Sequence, residues 1–84
     1  MKLVYYFTAE WCGPCKKTKP IAEELDRDGF ATFKFIDVDS EIELAQVFNV
    51  QSIPTFILME NGEPVKRIHG AQTKDQLLEF INYE

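Results

Sequence analysis

The chain has 84 residues, enough for one hydrophobic core and too few for two. Its apolar fraction of 45% is that of a folded domain and excludes a disordered chain, and its formal charge of −5 argues against a dedicated nucleic-acid binder. No apolar run approaches the ~18 residues of a membrane span, and Leu3 to Phe7, after the single charge of Lys2, is too short for a secretory leader and lacks cleavage-site chemistry, so a cytoplasmic setting is expected.

Leu3 to Phe7 is continuously apolar and aromatic, which suits a strand buried on both faces. Thr8, Ala9 and Glu10 lead from it into Trp11-Cys12-Gly13-Pro14-Cys15. The following helix carries Ile21, Ala22 and Leu25 at helical spacing, with Pro20 inside it as a source of a kink and Gly29 as its C-terminal cap. Phe30 to Val38 reads as the second strand. Strand–helix–strand demands a parallel pair with a right-handed crossover.

Ser40 to Glu43 reads as a capping box, followed by Leu44, Val47 and Phe48 at helical spacing. Ser52-Ile53-Pro54-Thr55 opens a third strand through Met59, and Asn61-Gly62 marks a hairpin. Pro64 to His69 is the fourth strand; its proline and Lys66-Arg67 suit a sheet edge. Thr73 to Gln76 is a second capping box, opening a helix with Leu77, Leu78, Phe80 and Ile81 inward. The order β-α-β-α-β-β-α implies an α/β fold: a four-stranded mixed sheet with three helices on its two faces, in one domain over residues 1–84.

Both cysteines of the chain lie in one Cys-X-X-Cys turn between a strand and a helix. Two cysteines at this spacing in a cytosolic chain are redox-active or metal-binding. A structural zinc site needs four ligands, and the single histidine, His69, lies on the far edge strand, so no metal site is expected. A helix start offers unpaired N–H groups and the positive end of the macrodipole. That field favours a thiolate at Cys12, whose pKa is expected below the free value of about 8.5. The thiolate is the species that attacks a disulfide, and Cys15, one turn on, is placed to resolve the mixed disulfide. Gly13 and Pro14 stiffen the turn. Lys16, Lys17 and Lys19 form either a solvated helix face or a basic rim that draws acidic partners. Asp37 and Asp39 read as turn chemistry.

These five residues, Trp11 to Cys15, resemble the active site of the thioredoxin family letter for letter. The likeness extends over nearly the whole chain: Ile53-Pro54-Thr55 matches the family loop whose proline is cis, and Gly70-Ala71 matches the Gly-Ala after the edge strand, where a side chain would obstruct a partner. The resemblance implies a thioredoxin-like fold and a thiol–disulfide oxidoreductase that reduces protein disulfides. Cys12 would attack and Cys15 resolve, while Trp11, Gly13, Pro14, Ile53, Pro54, Gly70 and Ala71 hold the substrate strand. It implies no bound cofactor, disulfide-containing protein substrates, a monomer, and either a flavin-dependent thioredoxin reductase or glutathione as electron source.

This sequence departs from the family in three ways. Eleven residues precede Cys12, too few for the strand and helix that usually come before the redox strand, which leaves a glutaredoxin-sized core. The family's buried aspartate, beneath the second cysteine, falls on Tyr6, and its lysine partner on Phe35. Tyrosine, with a reference pKa of about 10, is not the same base. Losing both charges is coherent, since one left alone would cost about 3–5 kcal/mol. A glutathione-dependent oxidoreductase, a binding subunit that leaves its thiols unused and a zinc-bridged dimer are the alternative readings.

Overall fold

The computed structural model describes residues 2–82; residues 1, 83 and 84, the ends of the expected domain, lie outside the described residues. Seven elements follow in the expected order: β1 (Leu3–Thr8), α1 (Gly13–Arg27), β2 (Thr32–Asp37), α2 (Ile42–Val47), β3 (Thr55–Glu60), β4 (Glu63–His69) and α3 (Lys74–Ile81). The strands form one sheet in the order β2-β1-β3-β4, in which β1 pairs parallel with β2 and antiparallel with β3, and β4 is antiparallel to β3 at the edge.

Strand alternation divides the core. Val4 and Tyr6 of β1, with Phe56 and Leu58 of β3, face Ala22 and Leu25 of α1 and Leu77, Phe80 and Ile81 of α3. Phe7, Ile36, Ile57 and Met59 face the other way, onto Ala45 of α2, with Leu44 and Phe48 packed alongside. β1 is therefore covered on both faces, as its unbroken apolar run requires.

Local chemistry sets the boundaries. The Phe30 N–H donates to the Leu25 carbonyl at 3.0 Å and the Gly29 N–H to Asp26 at 3.1 Å, a Schellman closure with Gly29 at φ +82°. Phe30 is used in closing α1, so β2 begins at Thr32 and not at Phe30. At its other end β2 stops at Asp37, where a turn begins. α2 closes the same way, with Asn49 at φ +54° and the Val50 N–H on Ala45 at 2.9 Å.

The expected capping box at Ser40 does not form. Glu41 is the N-cap of α2 and makes no side-chain cap bond. Asp37 draws the segment into a turn instead: its carboxylate accepts the Asp39 N–H at 2.8 Å, and its carbonyl accepts the Glu41 N–H at 2.8 Å and the Ser40 hydroxyl at 3.4 Å. Of the three apolar residues expected on α2, Val47 is 76% exposed, because so short a helix turns only one narrow face to the sheet. The Thr73–Gln76 box is complete in both directions. The Asn61-Gly62 hairpin has both residues at positive φ, +53° and +81°. The register of β3 on β4 slips between Leu58 and Met59, beside Pro64, which belongs at such an irregularity of an edge strand.

Candidate active site

The site lies at one end of the sheet, where β1, β2 and β4 finish and β3 starts. Their terminal residues are in register: Thr8 with Asp37, Phe7 with Thr55, and Thr55 with His69. From there the chain turns through Ala9, whose carbonyl accepts the Cys12 N–H at 3.2 Å, into α1.

Cys12 is the N-cap of α1, with extended backbone (φ −83°, ψ 110°), and its sulfur accepts the Cys15 N–H at 3.2 Å. A sulfur thus takes the place that a Ser or Asp oxygen holds at an ordinary helix start. Pro14 sits in the first turn, where its missing N–H costs no bond. Cys12 and Cys15 are joined as a disulfide with Cα atoms 5.3 Å apart. Both are buried, at 4% and 2% exposure, against Ala9, Val38 and Ile53. When the bond is open, the Cys15 N–H and the positive end of this 15-residue helix act on the Cys12 sulfur and favour its anion.

The Ile53–Pro54 bond is cis. Ile53 packs on the cysteine pair, and the Pro54 carbonyl accepts the Gly70 N–H at 2.9 Å, which ties the Gly70-Ala71 segment to the same rim. A Cβ on Gly70 would meet nothing within the molecule, so its φ of +85° is the intramolecular reason for glycine. The Thr55 hydroxyl donates to Ser52 O at 2.6 Å, so its 3.2 Å contact with His69 Nδ1 takes the proton from the ring. His69 is thus tied to the start of β3.

Trp11 is 66% exposed, and its indole N–H donates to Asp39 Oδ2 at 2.8 Å. The ring borders a groove of about 350 Å³ shared with Val38, Val50, Ser52 and Ile53. Asp39 therefore does more than shape a turn: it fixes the tryptophan. Nothing in the sequence links residues 28 positions apart.

On the opposite side of the pair, a hollow of about 470 Å³ opens beside Cys15, with Lys16, Lys19, Phe35 and Asp37 in its wall. Lys19 Nζ stands 5.9 Å over the Phe35 ring. Tyr6 lies beneath, fully buried, stacked on Phe56 at 4.5 Å and tilted against Phe35 at 5.5 Å; its hydroxyl donates to the Cys15 carbonyl at 3.2 Å. Burial pushes the Tyr6 phenol up to about 12, so it holds its proton throughout the neutral range. Among the described residues no group of His, Cys, Asp and Glu is placed to hold a metal ion, and no helix is long and apolar enough to cross a membrane.

A disulfide-bonded cysteine pair at a helix N-terminus, beside the cis Ile53–Pro54 bond, is equipment for dithiol–disulfide exchange, and the sheet that carries it is thioredoxin-like. Comparison with known proteins leads to the same class. The family profile described as Thioredoxin matches residues 1–83. The thioredoxin of Staphylococcus saprophyticus is 48% identical over 77 residues, covering 89% of this chain and 74% of that protein. The bifunctional thioredoxin reductase/thioredoxin of Mycobacterium leprae is 49% identical over 78 residues, covering 90% of this chain and 17% of that one. A solved mutant thioredoxin from Halobacterium salinarum superposes with a TM-score of 0.90 at 36% identity, covering 95% of this chain and 71% of that one.

The chain belongs to the thioredoxin family, and it is a thiol–disulfide oxidoreductase working through Cys12 and Cys15. The glutathione-dependent and binding-subunit readings are not favoured.

Proposed function

We propose that this chain, acting as a single thioredoxin-like domain and a monomer in the cytoplasm, reduces disulfides of proteins. The carrying observation is the Cys12 sulfur at the N-cap of α1, within 3.2 Å of the Cys15 N–H. The Cys12 thiolate attacks one sulfur of the substrate disulfide. A mixed disulfide forms and the other substrate sulfur leaves as a thiolate. Cys15 then attacks Cys12, the Cys12–Cys15 bond closes, and the second substrate sulfur departs. Two electrons have passed to the substrate, and its two thiolates take protons from solvent.

The substrate strand is held by the backbone of Ile53-Pro54 and Gly70-Ala71, as an added strand at the sheet rim. Trp11, Gly13 and Pro14 form the opposite lip; all three are exposed. A flavin-dependent thioredoxin reductase restores the dithiol. The Mycobacterium leprae relative, which names both activities in one chain, favours it over glutathione.

The test is capture. A Cys15→Ser variant is expected to accumulate a Cys12-linked mixed disulfide with a model protein substrate, whereas Cys12→Ser forms none. Equal capture by both variants, or full biological activity of the Cys12→Ser, Cys15→Ser double variant, would overturn this reading.

A further inference from the structure

Closing the Cys12–Cys15 bond requires the Cys15 thiol to lose a proton while it is buried at 2% exposure. Tyr6, on β1, donates its hydroxyl proton to the Cys15 carbonyl and stays protonated, so it is not the base. The exit left is the hollow beside β2. Its wall brings together Cys15, Glu10 and Asp37, Lys16 and Lys19, and Phe35. At about 470 Å³ it has room for several waters, and its rim supplies the polar partners they need.

We propose that Asp37 is the proton acceptor for Cys15, acting through water in this hollow; the proposal rests on the oxidoreductase reading above. As the Cys15 sulfur bonds to the Cys12 sulfur, its proton passes to the water and the water's to the Asp37 carboxylate. The Cys12–substrate bond breaks, and the substrate leaves with the electron pair as a thiolate. Asp37 is the better placed of the two carboxylates. It is half-buried at the end of β2, in register with Thr8, and one of its oxygens is fixed by the Asp39 N–H at 2.8 Å. Glu10 is exposed on the loop. The charged and titratable groups around Cys15 are then Tyr6 below on β1, Glu10 on the loop, Lys16 and Lys19 on α1, and Asp37 on β2.

Asp37→Asn tests this with little disturbance. The amide oxygen can still accept the Asp39 N–H, so the turn survives and only the base is lost. The Cys12 mixed disulfide with thionitrobenzoate is formed on the full chain, and release of the coloured thiolate by Cys15 is followed against pH. Asp37→Asn is expected to slow release about tenfold at neutral pH, with the two curves drawing together as pH rises and hydroxide takes over the removal of the thiol proton. Glu10→Gln should track the parent. A carboxylate acting only as a charge would give the opposite sign, because removing it eases thiol ionisation and speeds release. Release by Asp37→Asn that is unchanged, faster, or slower by the same factor at every pH overturns the proposal and leaves the oxidoreductase reading intact. A parent chain that releases nothing at any pH overturns both.

Discussion

Tyr6 and Phe35 touch ring to ring, centroids 5.5 Å apart and tilted by 58°, at the two positions where the thioredoxin family pairs a buried aspartate with a lysine. The substitution replaces an ion pair by an aromatic contact, and the two halves depend on each other. Tyr6→Asp alone places a carboxylate in a fully buried site and is expected to cost about 3–5 kcal/mol, read as a lower urea midpoint. Adding Phe35→Lys should recover a large part of that loss. Independent, additive costs would show that the pair is not coupled.

The phenol of Tyr6 also carries a pH signature. Its folded value, about 12, lies above the ordinary 10.0, so burial favours the protonated form. The contribution is present in full below pH 10 and is lost as pH rises through about 12, by about 2–3 kcal/mol in total. The parent and Tyr6→Phe should therefore differ in the slope of stability against pH only within that alkaline window. At neutral pH the variant loses the hydroxyl's hydrogen bonds to the Cys15 carbonyl and to Thr8, each about 0.5–1.5 kcal/mol.

Asp39 holds the Trp11 indole at 2.8 Å on an exposed surface. Asp39→Ala should leave stability within about 1 kcal/mol of the parent, since the bond is solvated. It should raise KM for a protein disulfide several-fold with kcat little changed, because the docking proposed above uses this ring and the variant no longer orients it. A fall in kcat at constant KM would place Asp39 in the chemistry and not in docking.

Gly70→Ala adds a methyl group to open space but forces a left-handed backbone, so it should cost about 1–2 kcal/mol. Its larger effect is expected on substrate reduction, since the methyl projects from the rim on which the proposed docking lays the substrate strand. Reduction of a small disulfide such as cystine should suffer less than reduction of a folded protein.

Arg67 reaches from β4 to the end of α2, where its guanidinium donates to the carbonyls of Phe48 and, at 3.3 Å, Asn49. Arg67→Ala should destabilise the chain by about 1–2 kcal/mol and speed hydrogen exchange at Asn49 and Val50, and Arg67→Lys should not restore the parent, because an ammonium lacks the planar fork.

Much of this molecule is readable from short-range chemistry. The apolar run of β1, the Gly29 closure, the Asn61-Gly62 hairpin and the Thr73 box each answer to residues within a few positions, and each appears as expected. The redox turn is readable for the same reason, since a helix start and two sulfurs one turn apart are local facts. Ser40 misleads because two cues compete within five residues, and the Asp37 turn takes the hydroxyl that a cap would use. The Trp11–Asp39 link, the Arg67 fork and the hollow beside Cys15 have no local signature. Each exists only once strands distant in sequence share an end of the sheet.

The placing of β1 has one more result. It is one of the two inner strands, bonded along both sides, and the reactive sulfurs hang from its tip, with the Cys12 amide hooked back onto Ala9. Parting the two sulfurs frees no strand and unseats no helix. The turnover proposed above therefore asks for no exchange of strand partners.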